Sequence, residues 1–239
     1  MYYSFIFNFM LNTLFPNKCL NCNVYTYQSL LCPDCFNSLK IYNYFICPQC
    51  YKKIDFTNLN FCHHFEPSTV KAILACTDYS NKTIKTMIHK FKYEHFLSLT
   101  NLLENLIQSS LTNYQDYFQA NNYLIIPVPL YWVKTKRRGF NQSIVIAKLI
   151  SKFLNVPCND KLLIRHKNNP PQAKINDPLL RQQNVSNIFK INDLLKSTIK
   201  NKNIILVDDV FTTGSTLNEC AKVLKQNGAN LIVAICLAR

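Results

Sequence analysis

Glycine is nearly missing from this chain. Its 239 residues hold 3 glycines, where ordinary usage of roughly 7% would give about 17. That excludes glycine-rich linkers, collagen-like repeats and a Gly-x-Gly-x-x-Gly dinucleotide fingerprint. Gly139, Gly214 and Gly228 are then expected where no other residue fits. Acid is scarce as well: 13 Asp and Glu stand against 27 Lys and Arg, a net charge of +14. An excess of that size attracts polyanions. No apolar run reaches the length of a membrane-spanning helix, so none is expected. Apolar residues make up 48% of the chain and charged residues 17%, enough for a real core and too apolar for a disordered chain.

Cysteine, by contrast, is abundant. Of 11 cysteines, seven lie within Cys19–Cys62, and six of those form three Cys-x-x-Cys pairs. A secreted disulfide scaffold is one reading. Against it, Cys76, Cys158, Cys220 and Cys236 sit singly, and the total is odd. The apolar start, Met1 to Pro16, has no basic n-region and no small-residue cleavage site, so it makes a poor signal peptide. It reads as a short apolar helix packed on the body or, failing that, an anchor at a membrane surface. The compartment is then expected to be reducing and cytoplasmic, with the clustered cysteines binding metal and Cys76, Cys220 and Cys236 serving as small core residues.

Charge and metal belong to different parts of the chain. Residues 1–66 carry a net +1 and residues 67–239 a net +13. We therefore expect a zinc-binding module over 1–66 and an α/β domain over 67–239. In the second part apolar strands (71–79, 123–128, 203–207, 231–237) alternate with helical patterns (81–92, 96–111, 140–154, 215–226). Continuous apolar strands separated by helices predict a parallel sheet covered on both faces.

In the module the pairs are Cys19/Cys22, Cys32/Cys35 and Cys47/Cys50, followed by Cys62, His63 and His64. Two thiolates held two residues apart in a tight turn can share one zinc, and two such turns complete a tetrahedron. Cys19, Cys22, Cys32 and Cys35 make one closed site. Cys47, Cys50 and Cys62 with one of the histidines, His64 the candidate, make a second. Filled by protein ligands, such sites have a structural role and supply folding free energy.

The sharpest signal is Ile204-Ile205-Leu206-Val207-Asp208-Asp209-Val210-Phe211-Thr212-Thr213-Gly214-Ser215-Thr216. An apolar strand ends in two carboxylates, a loop of hydroxyls with one glycine follows, and a helix begins. N–H groups at a helix N-terminus carry partial positive charge and bind phosphate. Gly214 would let the backbone approach, while Thr212, Thr213, Ser215 and Thr216 add hydroxyls. Paired carboxylates would repel a phosphate unless they face sugar hydroxyls, so a sugar phosphate fits the whole string. A surface turn capped by a threonine is the plainer reading. No Walker lysine follows, which excludes a P-loop.

A second basic string, Tyr131–Phe140 (YWVKTKRRGF), sets Lys134, Lys136, Arg137 and Arg138 among aromatics, with Gly139 pointing to a shaped loop. It is either a solvated face or a donor set for pyrophosphate at the same sheet edge. The same mixture suits stacking and phosphate contacts with single-stranded nucleic acid.

The string around Asp208 resembles the 5-phosphoribosyl-1-pyrophosphate (PRPP) motif of type I phosphoribosyltransferases. With the cysteine pairs in front, the chain resembles the ComF family of competence proteins. The likeness extends to Pro127-Val128-Pro129, to Arg137-Arg138-Gly139-Phe140-Asn141-Gln142-Ser143, to His89-Lys90-Phe91-Lys92-Tyr93, and to Arg165, Gln172, Arg181, Asn184 and Phe189. Phe65 departs from it, standing where relatives often carry a last cysteine.

The resemblance implies a parallel-sheet phosphoribosyltransferase fold behind a zinc module. It implies PRPP or pyrophosphate as ligand, with Mg²⁺. Asp208 and Asp209 would be the catalytic pair, and Phe211, Thr212–Thr216, Lys136, Arg137, Arg138 and Gly139 would complete the PRPP site. A hood over Arg165–Asn184 would recognise a base. The function implied is DNA uptake in natural transformation: handling of incoming single-stranded DNA, other competence proteins as partners, and a place in the cytoplasm or at the inner face of the membrane. An active phosphoribosyltransferase of nucleotide or base salvage is the second reading.

Overall fold

A computed structural model describes residues 17–26, 29–55, 57–58, 62, 70–93, 97–167 and 188–239. The apolar stretch Met1–Pro16 lies outside them. Four strands form the centre: β5 (Ile73–Thr77), β6 (Tyr123–Pro127), β9 (Asn203–Val210) and β10 (Ile232–Ala238). They pair in parallel in the order β5-β10-β9-β6. Every residue of β5, β6 and β10 is buried, as a parallel sheet with two covered faces requires.

Strand alternation divides the core in two. Ile205 and Val207 of β9, with Val233, Ile235 and Leu237 of β10, face one apolar layer. It is closed by α2 (Lys82–Tyr93), α3 (Leu97–Leu111), α4 (Gln115–Ala120) and α6 (Gln142–Leu154). Ile204 and Leu206, with Ile232, Ala234 and Cys236, face the other. That side is closed by α7 (Ser215–Gln226) through Leu217, Cys220, Ala221 and Leu224, and by the antiparallel pair β7 (Leu163–Arg165) and β8 (Phe189–Ile191). Cys76, Cys220 and Cys236 are fully buried.

The cysteine-rich part is sewn onto this sheet. It contains β1 (Asn17–Lys18), β2 (Tyr25–Thr26), α1 (Pro33–Asn37), β3 (Phe45–Ile46) and β4 (Lys53–Ile54). β3 pairs antiparallel with β5 through Ile46 and Ile73, and β4 pairs with β3, so the central sheet has six strands. The Phe45 ring meets Tyr114 edge-on at 5.1 Å, and the Tyr114 hydroxyl donates to the Asn43 carbonyl at 3.1 Å.

The basic string expected as a loop is a helix, α5 (Trp132–Arg138). None of its residues is fully buried, which removes the apolar period by which a helix is read from sequence. Gly139 closes it in the left-handed region at φ 80°, its N–H donating to the Thr135 carbonyl.

Candidate functional site

β9 carries the apolar run forward until Asp208 and Asp209 stand near its carboxyl end, where open α/β sheets place ligands. Consecutive strand residues leave on opposite faces. Asp209 turns to the helix-rich layer, where its Oδ2 is 2.8 Å from Lys92 Nζ near the end of α2. Asp208 Oδ1 accepts from the Ser143 hydroxyl at 3.0 Å and from the Asp209 N–H at 2.9 Å. Burial pushes the Asp208 carboxyl up, and the neighbouring Asp209 charge adds to it, to about 7; the Asp209 N–H, Ser143 and Lys92 pull the other way. A carboxyl so poised gains from any ligand that supplies hydroxyl donors or a cation.

The loop beyond the strand is anchored by the Phe211 N–H, which donates to the Ala238 carbonyl at 2.9 Å. Phe211 is buried, while Thr212 and Thr213 are exposed. Thr213 and Ser215 join their hydroxyls at 2.8 Å across the start of α7. Gly214 stands there at φ +75°, and a Cβ on it would meet the Phe211 ring at 2.8 Å. Its absence of a side chain is thus dictated by the backbone and by Phe211, before any ligand arrives.

A group of cations gathers around Lys134. Burial pulls the Lys134 ammonium down, and Arg165, Arg138 and Arg137 push it further the same way, so four cations share one region. Arg138 donates to Gln142 Oε1 at 3.0 Å and lies 5.6 Å from the Tyr93 ring centre. Its Nε and the Gln142 Nε2 are buried donors without a partner among the described residues. Buried donors left over at a cationic site are what an absent anion would take up. Lys136 leaves α5 on another face, toward a groove against α6, which Gly139 also lines.

The string Asn141-Gln142-Ser143 is buried where α6 begins. Asn141 caps the helix, its Oδ1 accepting from the Ser143 N–H while its Nδ2 donates to the Val128 carbonyl, both at 3.0 Å. That second bond ties the helix start to the Pro127–Pro129 turn. Lys92, Ser143 and Arg165 were given no role at Asp208 and Asp209 by the residue patterns. The only signal was that each falls in a string shared with the ComF family. Gln172, Arg181 and Asn184 of the expected hood lie outside the described residues.

Cys19, Cys22, Cys32 and Cys35 converge with all four sulfurs within 4.8 Å of one another, and Cys47, Cys50 and Cys62 do the same. His63 and His64 lie outside the described residues. Cys22 and Cys32 sulfurs are 3.7 Å apart, and those of Cys50 and Cys62 3.5 Å. A tetrahedron with zinc–sulfur bonds of 2.3 Å has edges of about 3.8 Å, so both sets fit zinc. Burial pushes the Cys19 thiol up, but the N–H groups of Cys22, Cys32 and Asn21 outweigh it and bring it down to about 6. Asn21 reaches outward from the first set: its Nδ2 donates to the Cys35 sulfur at 3.3 Å and its Oδ1 accepts from Thr83 of α2 at 3.0 Å.

Residues 141–239 match the phosphoribosyl transferase domain model, and residues 10–78 match the double zinc ribbon domain model. Competence protein F of Haemophilus influenzae is 29% identical over 228 residues, 94% of this chain and 98% of that one. Along most of its length the chain is similar to a ComF competence protein. The DNA utilization protein YhgH of Escherichia coli K12 is 27% identical over 73% of this chain and 74% of its own. Competence protein ComFC of Bacillus subtilis is 26% identical over 62% of this chain and 56% of its own. The fold of this chain is that of a type I phosphoribosyltransferase behind a double zinc ribbon, and the ribbon with its cysteine clusters supports structural zinc. No helix among the described residues is long and apolar enough to cross a membrane.

Proposed function

We propose that this chain binds PRPP with Mg²⁺ at the end of β9 and serves DNA uptake by handling incoming single-stranded DNA. What supports the first half is that Asp208 and Asp209 stand at the end of β9 just before the Gly214 turn, and that Arg165, one of the cations around Lys134, interacts with the Asp208 charge. Asp208 and Asp209 take the ribose hydroxyls, and displacement of Lys92 frees Asp209 for that purpose. The N–H groups and hydroxyls of Thr212–Thr216 take the 5-phosphate. Arg137 and Arg138 take the pyrophosphate, the unpartnered Arg138 Nε among the donors.

Mg²⁺, when bound, neutralises pyrophosphate charge and makes it a better leaving group. Its ligand chemistry is hard oxygen, which the Asp pair supplies. The protein's own part is to position and neutralise. The names of the relatives, competence protein F and DNA utilization protein, support the second half, as does the net +14 charge. Calorimetry with PRPP and Mg²⁺ tests the first half; no heat of binding, or equal affinity in Asp209→Asn, would overturn it. Labelled PRPP incubated with a panel of bases separates the two activities. Pyrophosphate release with one base would make the chain a salvage transferase, and release with none leaves the uptake reading.

A further inference from the structure

Helix α5 has two faces. At 3.6 residues per turn, positions 132, 135, 136 and 139 fall on one side and 134, 137 and 138 on the other. The second side carries Lys134, Arg137 and Arg138, and the two arginines are the ones assigned above to pyrophosphate. The first side opens on a groove of about 1130 Å³ between α5, α6 and β7. Trp132, Lys136, Phe140, Lys148, Lys161 and Arg165 are among its walls. Trp132 is 62% exposed. This seven-residue helix places no residue in the apolar core. It is too short to be stable by itself, yet it sets the indole of Trp132 in the groove wall.

We propose that this groove seats unpaired nucleic acid, specifically single-stranded DNA, at a site that adjoins the sugar-phosphate site and shares Arg165 with it. The charge argues for a polyanion. Four cations line the groove against one carboxylate, Asp160, and Lys148 holds that carboxylate at 3.8 Å. Lys136 and Lys161 have no acidic partner among the described residues. The rings argue for unpaired bases. A duplex keeps its base faces stacked inside, whereas a single strand offers each face to an aromatic side chain while cations track its phosphates. Pro127, Leu130 and Leu163 add apolar wall beside the cations, which suits bases as well as phosphates. Arg165 belongs to both regions, so a strand in the groove runs up to the edge of the sugar-phosphate site.

The inference rests on the DNA-handling reading, and the test separates the two. Trp132 is the chain's single tryptophan, so selectively excited emission reports on the groove alone. The wild-type chain is titrated with a labelled oligodeoxythymidine, following anisotropy of the strand and emission of the protein together. The two signals should saturate in step. Trp132→Ala should weaken binding at least about fivefold, with PRPP affinity by calorimetry unchanged. Lys161→Ala should lower the slope of log affinity against log salt by about 0.7.

Strand binding with unchanged tryptophan emission, or with equal affinity in both variants, would overturn the groove and spare the DNA reading. No anisotropy change at low salt in the wild type would overturn both. Quenching by anionic phospholipid vesicles but not by DNA would make the face a membrane contact and overturn the proposal.

Discussion

The ring of Tyr51 stands edge-on to that of Phe211, with centroids 6.4 Å apart and planes at 66°. The two come from opposite ends of the chain and from different chemistry. Tyr51 follows Cys50 directly in the second cysteine cluster, in the left-handed region at φ 60°, its N–H donating to the Cys47 carbonyl at 3.0 Å. Phe211 opens the phosphate loop and sits where a Cβ on Gly214 would be. Arg239 lies over Tyr51 and Tyr42, 5.5 and 5.6 Å from the ring centres. The zinc ribbon is therefore a wall of the loop proposed to hold the phosphate.

That contact sets the first prediction. Tyr51→Ala should weaken PRPP binding about two- to tenfold, the range for losing one edge-to-face contact. Tyr51→Phe keeps the ring and should bind as the wild type does. Calorimetry giving equal affinities for all three chains would show that the ribbon does not support the loop.

Gly214→Ala tests the geometry of the turn itself. The left-handed backbone costs an alanine about 1–2 kcal/mol, and the Phe211 ring stands in the way of the new Cβ. We expect a lower melting temperature together with lost PRPP binding. The Phe211→Leu, Gly214→Ala double variant should recover part of both; a double variant no better than Gly214→Ala would place the fault elsewhere.

Asp208 predicts a pH profile. Its carboxyl is pushed by burial, and then by Asp209, from an ordinary value of 3.8 to about 7. Between those values the folded chain keeps a proton that the unfolded chain has lost, so stability falls as pH rises through that window and levels off above it. Ribose and metal need the ionised form, so PRPP affinity should rise over the same window. Asp208→Asn should flatten the stability profile and raise the melting temperature above neutral pH by roughly 2–4 °C per kcal/mol relieved. Parallel melting profiles for variant and wild type would refute the shift.

Zinc carries the fourth prediction. Cys35→Ser removes a ligand from a closed set of four and should cost the chain that metal and its solubility, because ligand loss removes folding free energy. Asn21→Ala leaves the ligands in place but cuts the link to Thr83; it should retain zinc and melt lower. Metal analysis finding no zinc in the native chain would contradict the assignment.

The local chemistry was legible in the residues. Cys-x-x-Cys pairs, the DDVFTTGST string and the helix Ser215–Gln226 each depend on neighbours within one turn of chain, so spacing alone exposes them. The buried parallel strands were legible for a similar reason: strands covered on both faces must be apolar throughout.

Three features depended on the tertiary structure. β3 and β4 are two residues long each, too short for any period to mark, and Ile46 finds Ile73 only once the sheet edge exists. α5 hides its helical character because none of its residues is fully buried. The partners of Asp208 and Asp209, namely Ser143 and Lys92, arrive from two separate helices packed on the sheet. Sequence determined which chemistry the chain carries, because ligand spacing and strand burial are written in adjacent residues. Which groups meet was decided by strand order β5-β10-β9-β6 and by the helices laid over it, because contacts between distant segments are fixed by packing and leave no mark on the residues beside them.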